Sequence, residues 1–492
     1  MGIIINQSIK NATISYIGII LGFIATIKLF PNILATDQFG LTRVLLSIMT
    51  LSVQFLNFGI PKSIVKFFPP LKAVSDKPQG LFWAFIIPPL LGFIAYSILL
   101  IVFDNRLLEL YNNESKLLSQ YFIYIIPLVF FSSSFGLLTA FLKASFNTVF
   151  ASSLQEVFLR IITIGTLLLF SFDIINFDQF IFLFIANYAL QYILLLAYSL
   201  IKGFVKFEIE FSVFSKKKVI EIFQYSFYAF FSGLTVLILG NIDLLMLGSY
   251  EGLTKTGIYA IAIYVGSVIL VPKKSIGKIS FPVISNSFSN NDIHNISDVY
   301  KKTSLNQYIA GVIIYIGVIA NLNNLFAILP DEYSTGAVVI IIIGLGNLFD
   351  MATGANGQII ISSPFYKFDF YSSIFVIVVA IILNFLLIPI YGILGAAVAT
   401  SISIIIGNIT RVVYVWLKFR LQPFSIKILW ITILGLLLLF ISLQIEEHEN
   451  YLIDIGIRSV SLLIVYVFAI WKFKISDDVN KLINSLVTHS RF

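Results

Sequence analysis

The chain contains no cysteine among its 492 residues, which excludes disulfides, thiol nucleophiles and thiolate metal sites. Its three histidines, His294, His448 and His489, stand too far apart in sequence to form a ligand cluster, so zinc chemistry is not expected. Charge is scarce as well: Asp, Glu, Lys and Arg make up 12% of the residues, against roughly 25% in soluble domains. Too few polar side chains are available to cover a water-facing surface. The phosphate-cradling pattern GxxxxGK[ST] does not occur, so direct use of ATP is not expected. The first residues, MGIIINQSIKN, carry one lysine and no small-residue cleavage site before the first apolar run, and we expect that run to remain as a helix and not to be removed.

What is present is apolar. Hydrophobic residues make up 58% of the chain, and mean hydropathy is +0.96. Windows of about 20 apolar residues, long enough to cross a hydrocarbon core, recur along its whole length. They predict an all-α integral membrane protein with about fourteen spans, at 11–31, 41–60, 81–103, 119–142, 148–171, 178–201, 222–248, 256–280, 304–328, 334–355, 368–389, 393–417, 426–444 and 451–471. Two places could change that count: the Gly-rich GLGNLFDMATGANG, which could unwind, and PIYGI, which makes a very tight turn.

The net charge of +7 is mostly topology. With the N-terminus inside, lysine and arginine collect in the cytoplasmic segments, for example Lys62, Lys66, Lys72 and Lys77, Lys216 to Lys218, Lys273, Lys274 and Lys278, and Lys472, Lys474, Lys481 and Arg491. The outer loops hold only Arg106, Lys116 and Lys255. This asymmetry predicts that both termini are cytoplasmic. The longest outer loop, 104–118, is too short to house the extracellular catalytic apparatus expected of a membrane glycan polymerase or ligase.

Two connectors read alike. PKSIVKFFP begins at Pro61 and PKKSIGKISFP at Pro272, each following a span that opens on a glycine-aromatic corner, Phe39-Gly40 and Gly257-Ile258-Tyr259. They predict two homologous six-helix lobes separated by an even number of spans, hence parallel, as in many transporters. The expected organisation is an N-lobe at 1–201, a cytoplasmic linker at 202–221 formed as a short strand or interfacial helix, a C-lobe at 222–420, two further helices at 421–472 and a cytoplasmic tail at 473–492.

At this point the residues match a family. The segments ATDQFGLTRVLL (35–46), FGIPKSIVKFFP (58–69), NIDLLMLGSYEGLTKTGIYAIAIYV (241–265), ISFPVISNSFSNNDIHNISDVYKKT (279–303) and YGILGAAVATSIS (391–403) resemble polysaccharide-lipid flippases, the Wzx-type O-antigen and oligosaccharide exporters of the multidrug, oligosaccharidyl-lipid and polysaccharide exporter superfamily. The resemblance covers nearly the whole chain. It implies flipping of undecaprenyl-pyrophosphate-linked oligosaccharide from the cytoplasmic to the outer leaflet of a bacterial inner membrane, by alternating access of a cavity between the lobes. It also implies a driving force from H⁺ or Na⁺ entry or from removal of product by an outer polymerase, with no other cofactor, a glycan polymerase and chain-length regulator as partners, and no nucleic acid. Lipid II flippases of the same superfamily carry an Arg-Asp pair in the first helix and an Arg pair in the second; here those stretches read GFIATIKLF and SIMTLSVQF, and only Asp37 matches.

Ionisable groups within spans cost roughly 2.5–3.5 kcal/mol each on insertion scales, which makes them candidates for function. Glu156 and Arg160 stand four apart on one helix face; they form either a structural pair or a pyrophosphate-binding guanidinium with its carboxylate. Lys28 and Arg43, near the outer ends of their spans, either snorkel or line a cationic vestibule. Asp37, Asp243 and Asp350 are the candidates for ion coupling, Asp350 through carbonyls freed at the glycine-rich break. Arg411 is expected to snorkel to lipid phosphate, and Arg458 to pair with Asp454. Tyr16, Tyr124, Tyr188, Tyr192, Tyr228 and Tyr264 either stack on sugars or pack. A cation antiporter should have a net acidic cavity, whereas the spans here carry both signs about equally. Glu446, Glu447, His448 and Glu449 read as a solvated turn.

Overall fold

A computed structural model describes residues 2–75, 80–104, 106, 116–145, 147–206, 208, 211–212, 214–481 and 484. Lys77, Arg491, most of the 104–118 segment expected as an outer loop and part of the 202–221 segment fall outside them. All regular structure among the described residues is helical, as a hydrocarbon solvent requires, because only a helix or a closed barrel satisfies its own backbone there. Among the described residues twelve helices are long and apolar enough to cross a membrane, thirteen with Lys216–Thr235 and Leu237–Tyr250, which meet at 55°, taken as one broken span.

The chain forms two compact units, Met1–Gly257 and Ile258–Phe492. The first contains α1 (Gly2–Phe23), α2 (Thr36–Asn57), α3 (Ile60–Val74), α4 (Leu81–Val102), α5 (Lys116–Ala144), α6 (Val149–Ser171), α7 (Phe177–Ile201) and α8 (Lys216–Tyr250). Its core joins Ile64, Phe67 and Phe68 of α3 to Phe82 and Phe85 of α4 and to Leu138 and Phe141 of α5. Phe141 meets Phe68 and Phe82 at ring-centroid distances of 4.3 and 5.0 Å.

The 202–221 segment forms no strand among its described residues, and from Lys216 onward it is the first turn of α8. The break between units lies further on, within α9 (Gly252–Ser267). The reason that α8 stays with the first unit is the α2–α3 corner. Phe58 and Gly59 both take left-handed backbone conformations, and a Cβ on Gly59 would sit 2.2 Å from the Ser226 carbonyl oxygen. Phe58 stacks on Phe230 at 5.0 Å, Gln54 donates from Nε2 to the Phe230 carbonyl at 2.9 Å, and the Ser63 and Ser226 hydroxyls meet at 2.6 Å.

The second unit contains α10 (Val271–Ser289), α11 (Ile293–Ala320), α12 (Ala337–Ala352), α13 (Asn356–Ser362), α14 (Lys367–Phe419), α15 (Ile426–Leu443) and α16 (Tyr451–Lys472). The last two pack on α11, where Ile309, Val312 and Ile316 meet Ile431, Leu438 and Tyr466, and the Tyr466 hydroxyl donates to the Ile309 carbonyl at 2.9 Å. Their other faces remain apolar and exposed, with Leu436, Phe440 and Ile464 each more than 60% accessible. That belt is what lipid tails cover.

Helix α14, at 53 residues, would run to about 80 Å as a straight rod, more than twice the hydrocarbon thickness of about 30 Å. It folds back instead. Gly392 has φ 55° and ψ −130°, at the tight turn expected over PIYGI, and residues on either side of it meet: Phe368 stacks on Tyr414 at 3.5 Å, and Asp369 pairs with Arg411 at 3.2 Å. Arg411 is therefore neutralised by a carboxylate on the opposite leg, which corrects the expectation that it snorkels to lipid phosphate. Arg458 pairs with Asp454 at 2.6 Å as expected, and the Ser442 and Ile445 carbonyls accept from its other nitrogens.

A side chain is strained at the backbone angles of Gly392, at a cost of order 1–3 kcal/mol. Gly392→Ala should lower the thermal midpoint of the purified protein, whereas Gly240→Ala, where an added Cβ meets nothing within 4 Å, should leave it unchanged or slightly raised. Equal midpoints for the two variants would show that the turn does not hold the hairpin.

Candidate functional site

The site begins with two local departures from α geometry in the first unit. Between α1 and Phe30 the chain makes a π-helical segment, Ile24–Leu29, and within α6 it makes another, Leu154–Phe158. A π turn shifts the backbone bonding register and is frequent at functional sites. In hydrocarbon, displaced carbonyls must find donors inside the protein. Asn32 donates from its side-chain amide to the Lys28 carbonyl at 2.7 Å, and Gln191 of α7 donates to the Leu154 carbonyl at 3.2 Å. Arg160 serves the Glu156 carbonyl from Nη1 at 3.1 Å.

Its second terminal nitrogen reaches the Glu156 carboxylate, Nη2 to Oε2 at 3.1 Å. Both side chains keep about a third of their surface accessible, 32% and 31%, so the pair is half-buried and not enclosed. What lies beneath it is glycine. A Cβ on Gly18 of α1 would come within 2.4 Å of Arg160 Nη1 and 2.8 Å of the Glu156 carbonyl oxygen, and one on Gly22 within 3.2 Å of Nε and 3.3 Å of Cζ. The arginine therefore lies flat along a groove made by Gly18-x-x-x-Gly22.

The remaining candidates are placed differently. Lys28 is exposed on its π segment. Arg43 lies over two aromatic rings, 4.5 Å from the Phe39 centroid and 5.1 Å from that of Phe30, with Tyr188 of α7 within electrostatic reach. Such cation–π contacts hold a guanidinium in place. Asp37 accepts from the Gln38 N–H at 2.8 Å in the first turn of α2, where a carboxylate suits the helix dipole. Asp243 is fully buried in α8.

Asp350 belongs to the second unit and is not in a broken helix. Helix α12 is continuous to Ala352, and the break follows at Thr353–Ala355, with Gly354 at φ 61°. The carbonyls at that break are occupied: Asp350 O accepts from Thr353 Oγ1 at 2.8 Å, Met351 O from the Gly354 N–H at 3.1 Å, and Ala352 O from Ser304 Oγ at 2.6 Å. Coordination of an ion by freed carbonyls is therefore not what this break offers. Its carboxylate is bound by Lys273 instead, Nζ to Oδ2 at 2.5 Å.

Sequence reasoning identified Glu156 and Arg160 as neighbours but missed Gly18, Gly22, Gln191 and Lys273. A small-xxx-small pair in an apolar span and a lone glutamine in another were the available signals. Lys273 stands in a basic connector, where a lysine reads as an orientation signal. Among the sugar-stacking candidates, Tyr16 and Tyr228 are exposed, and the other four are partly buried. The Glu446–Glu449 turn is tied down more than expected: Glu447 accepts from Asn323 at 2.5 Å, and the His448 N–H donates to Asp454 at 3.1 Å. Among the described residues no group of three or more histidine and acidic side chains could hold a metal ion.

The chain matches, over residues 5–288, the family described as "Polysaccharide biosynthesis protein". It is 23% identical to the uncharacterized membrane protein MJ1068 of Methanocaldococcus jannaschii, covering 93% of this chain and 94% of that one. It is 24% identical to the probable flippase AglR of Haloferax volcanii over 40% of this chain and 42% of that protein. Among solved structures it superposes on the lipid II flippase MurJ in its inward closed conformation, with a TM-score of 0.72 and 18% identity, covering 96% of this chain and all of that one.

Overpacking at a well-filled contact costs typically 1–3 kcal/mol. Gly18→Val should lower the thermal midpoint by an amount in that range because the added atoms meet both the guanidinium and backbone. Gly165→Ala in α6, where nothing lies within 4 Å, is the control. A midpoint for Gly18→Val equal to that of the control would mean that α1 does not lie against Arg160.

Proposed function

This chain belongs to the polysaccharide biosynthesis protein family, and from that premise we propose that it is a flippase, not an enzyme, moving undecaprenyl-pyrophosphate-linked oligosaccharide repeat units from the cytoplasmic to the outer leaflet by alternating access. The observation that carries this reading is the Arg160 guanidinium, accessible yet fixed on its glycine groove. A planar fork of N–H donors matches the paired oxygens of a diphosphate, and Glu156 holds it until the anion arrives. Arg43, held over its two rings, and exposed Lys28 supply further positive charge for the phosphates and for acidic sugars. The polyprenyl tail stays in lipid. Only the polar head must then be shielded, so a bundle with little polar surface suffices.

In this reading the protein is a multi-pass protein of the bacterial cytoplasmic membrane with both termini inside. The bacterial setting comes with the cargo alone and not with the two named relatives, which are archaeal. Ion-gradient coupling by H⁺ or Na⁺ is assigned to Asp243, the fully buried carboxylate of α8, while Asp37 acts on the α2 backbone. Lipid II, another polyprenyl diphosphate, is the nearest alternative cargo in chemistry. A membrane polymerase or ligase is the alternative of a different class, and its substrates would have to cross by another protein.

Loss of the gene should abolish surface glycan, and intact lipid-linked repeat units should accumulate on the cytoplasmic leaflet. Arg160→Ala should reproduce most of that accumulation, and Arg43→Ala part of it, measured by leaflet-selective labelling of the extracted lipid. Accumulation of peptidoglycan precursor instead would reassign the cargo to lipid II. Complete units on the outer leaflet with only polymerisation blocked would establish the enzyme reading and remove the roles given to Arg160 and Arg43.

A further inference from the structure

The two connectors that read alike in sequence differ in their surroundings. Aligned on their serines, Lys62-Ser63-Ile64-Val65-Lys66 of α3 corresponds to Lys274-Ser275-Ile276-Gly277-Lys278 of α10, with Lys273 as the inserted residue. In the first unit α8 meets each polar group of the motif. Lys62 Nζ donates to the Ala229 carbonyl at 3.3 Å, the Ser63 and Ser226 hydroxyls meet at 2.6 Å, and Lys66 Nζ lies 4.0 Å from the centroid of the Tyr225 ring. A carbonyl, a hydroxyl and a ring face fill this copy.

In the second unit the corresponding Lys274, Ser275 and Lys278 are exposed, and among the described residues none of them has a hydrogen bond, ion pair or ring contact. The inserted Lys273 is the one that pairs, with Asp350. Helix α10 contains no acidic residue to neutralise the others. Lys274 and Lys278 stand four apart and Ser275 and Lys278 three apart, so all three share one helix face, where the like charges repel. Two ammoniums and a hydroxyl grouped without an acceptor suit a phosphate, which lysine binds as a point charge.

The neighbouring side chains indicate how such an anion arrives. Ile279 is 74% exposed, and Phe281 and Val283 are exposed as well. Exposed apolar groups beside lysines on one helix belong at the level where hydrocarbon meets headgroups. A soluble anion would leave those apolar groups in water, whereas a lipid covers them and sets its phosphate against the lysines.

We propose that the α10 face formed by Lys274, Ser275 and Lys278 binds the phosphate of a lipid-borne anion at the cytoplasmic surface, the ligand taking the place that α8 fills on the corresponding face of α3. The site stands on these side chains and applies to any lipid phosphate; counting the cargo among its ligands rests on the flippase reading.

The test uses the full-length protein in neutral detergent micelles without cargo, so that failure of the flippase reading leaves its outcome unchanged. Thermal midpoints are followed against the mole fraction of dioleoyl phosphatidic acid in the micelles and, separately, against inorganic phosphate in the buffer. Phosphatidic acid should raise the wild-type midpoint, and inorganic phosphate should not. The double variant Lys274→Met/Lys278→Met should need about tenfold more phosphatidic acid for the same rise, and Ser275→Ala about threefold more. Lys301→Met/Lys302→Met removes the same charge from exposed positions of α11 and should titrate as the wild type. Equal shifts for the two double variants would reduce the response to net charge and overturn the proposal. A Ser275→Ala titration equal to that of the wild type overturns it too, as does a wild-type response to inorganic phosphate equal to that to phosphatidic acid, or to neither. Should the Lys274/Lys278 double variant fail to fold, Lys274→Gln and Lys278→Gln decide singly. Each should need about threefold more phosphatidic acid, and wild-type titrations in both overturn the proposal.

Discussion

A backbone in hydrocarbon has no water to satisfy its N–H and C=O groups, and every departure from the α-helix must therefore bring its own donor or acceptor. The structure can be followed from that constraint. Where α6 takes a π turn, Gln191 and Arg160 serve carbonyls of the turn; where the chain does the same after α1, Asn32 does so. Where α12 ends inside the second unit, Thr353, Gly354 and Ser304 close its last carbonyls. Polar side chains in these spans are scarce, and many of them are committed to such repairs.

Charge inside the spans obeys the same rule. Each informative ion has a partner suited to its exposure: Arg458 is enclosed by a carboxylate and two carbonyls, Arg411 is neutralised across the Gly392 hairpin, and Arg43 rests on aromatic faces. Exposure grades these pairs, from Arg458–Asp454, almost fully enclosed, through Arg411–Asp369 and Lys273–Asp350, to Arg160–Glu156 with about a third of each side chain accessible. Sequence spacing alone does not reveal that grading.

Much of the fold was legible in the sequence. Apolar windows place most of the helices within a few residues, although α11 (Ile293–Ala320) begins and ends well before the expected 304–328; the Gly392 turn stands where PIYGI predicts it, and the i, i+4 spacing gives the Glu156–Arg160 and Asp454–Arg458 pairs. What escaped depends on contacts between distant segments. The glycine groove under Arg160 needs α1 to cross α6 at one level, and the Lys273–Asp350 pair joins residues 77 positions apart. The partner of Arg411 lies on a different expected span, and Lys273, in a basic connector, pairs with Asp350. The 202–221 segment alternated like a strand, yet its last residues continue into α8, whose packing on the α2–α3 corner extends the first unit past the expected boundary.

The central claim is that the planar fork of Arg160, set on Gly18 and Gly22, binds the diphosphate of the cargo. Arg160→Lys keeps the charge and removes the fork, so it separates geometry from electrostatics. Reconstituted vesicles carrying fluorescently labelled polyprenyl-diphosphate oligosaccharide allow transbilayer movement to be timed for the wild type and Arg160→Lys at matched protein levels. The account predicts a rate at least about tenfold lower for Arg160→Lys, equivalent to roughly 1.4 kcal/mol of lost transition-state binding. A rate equal to that of the wild type would contradict it.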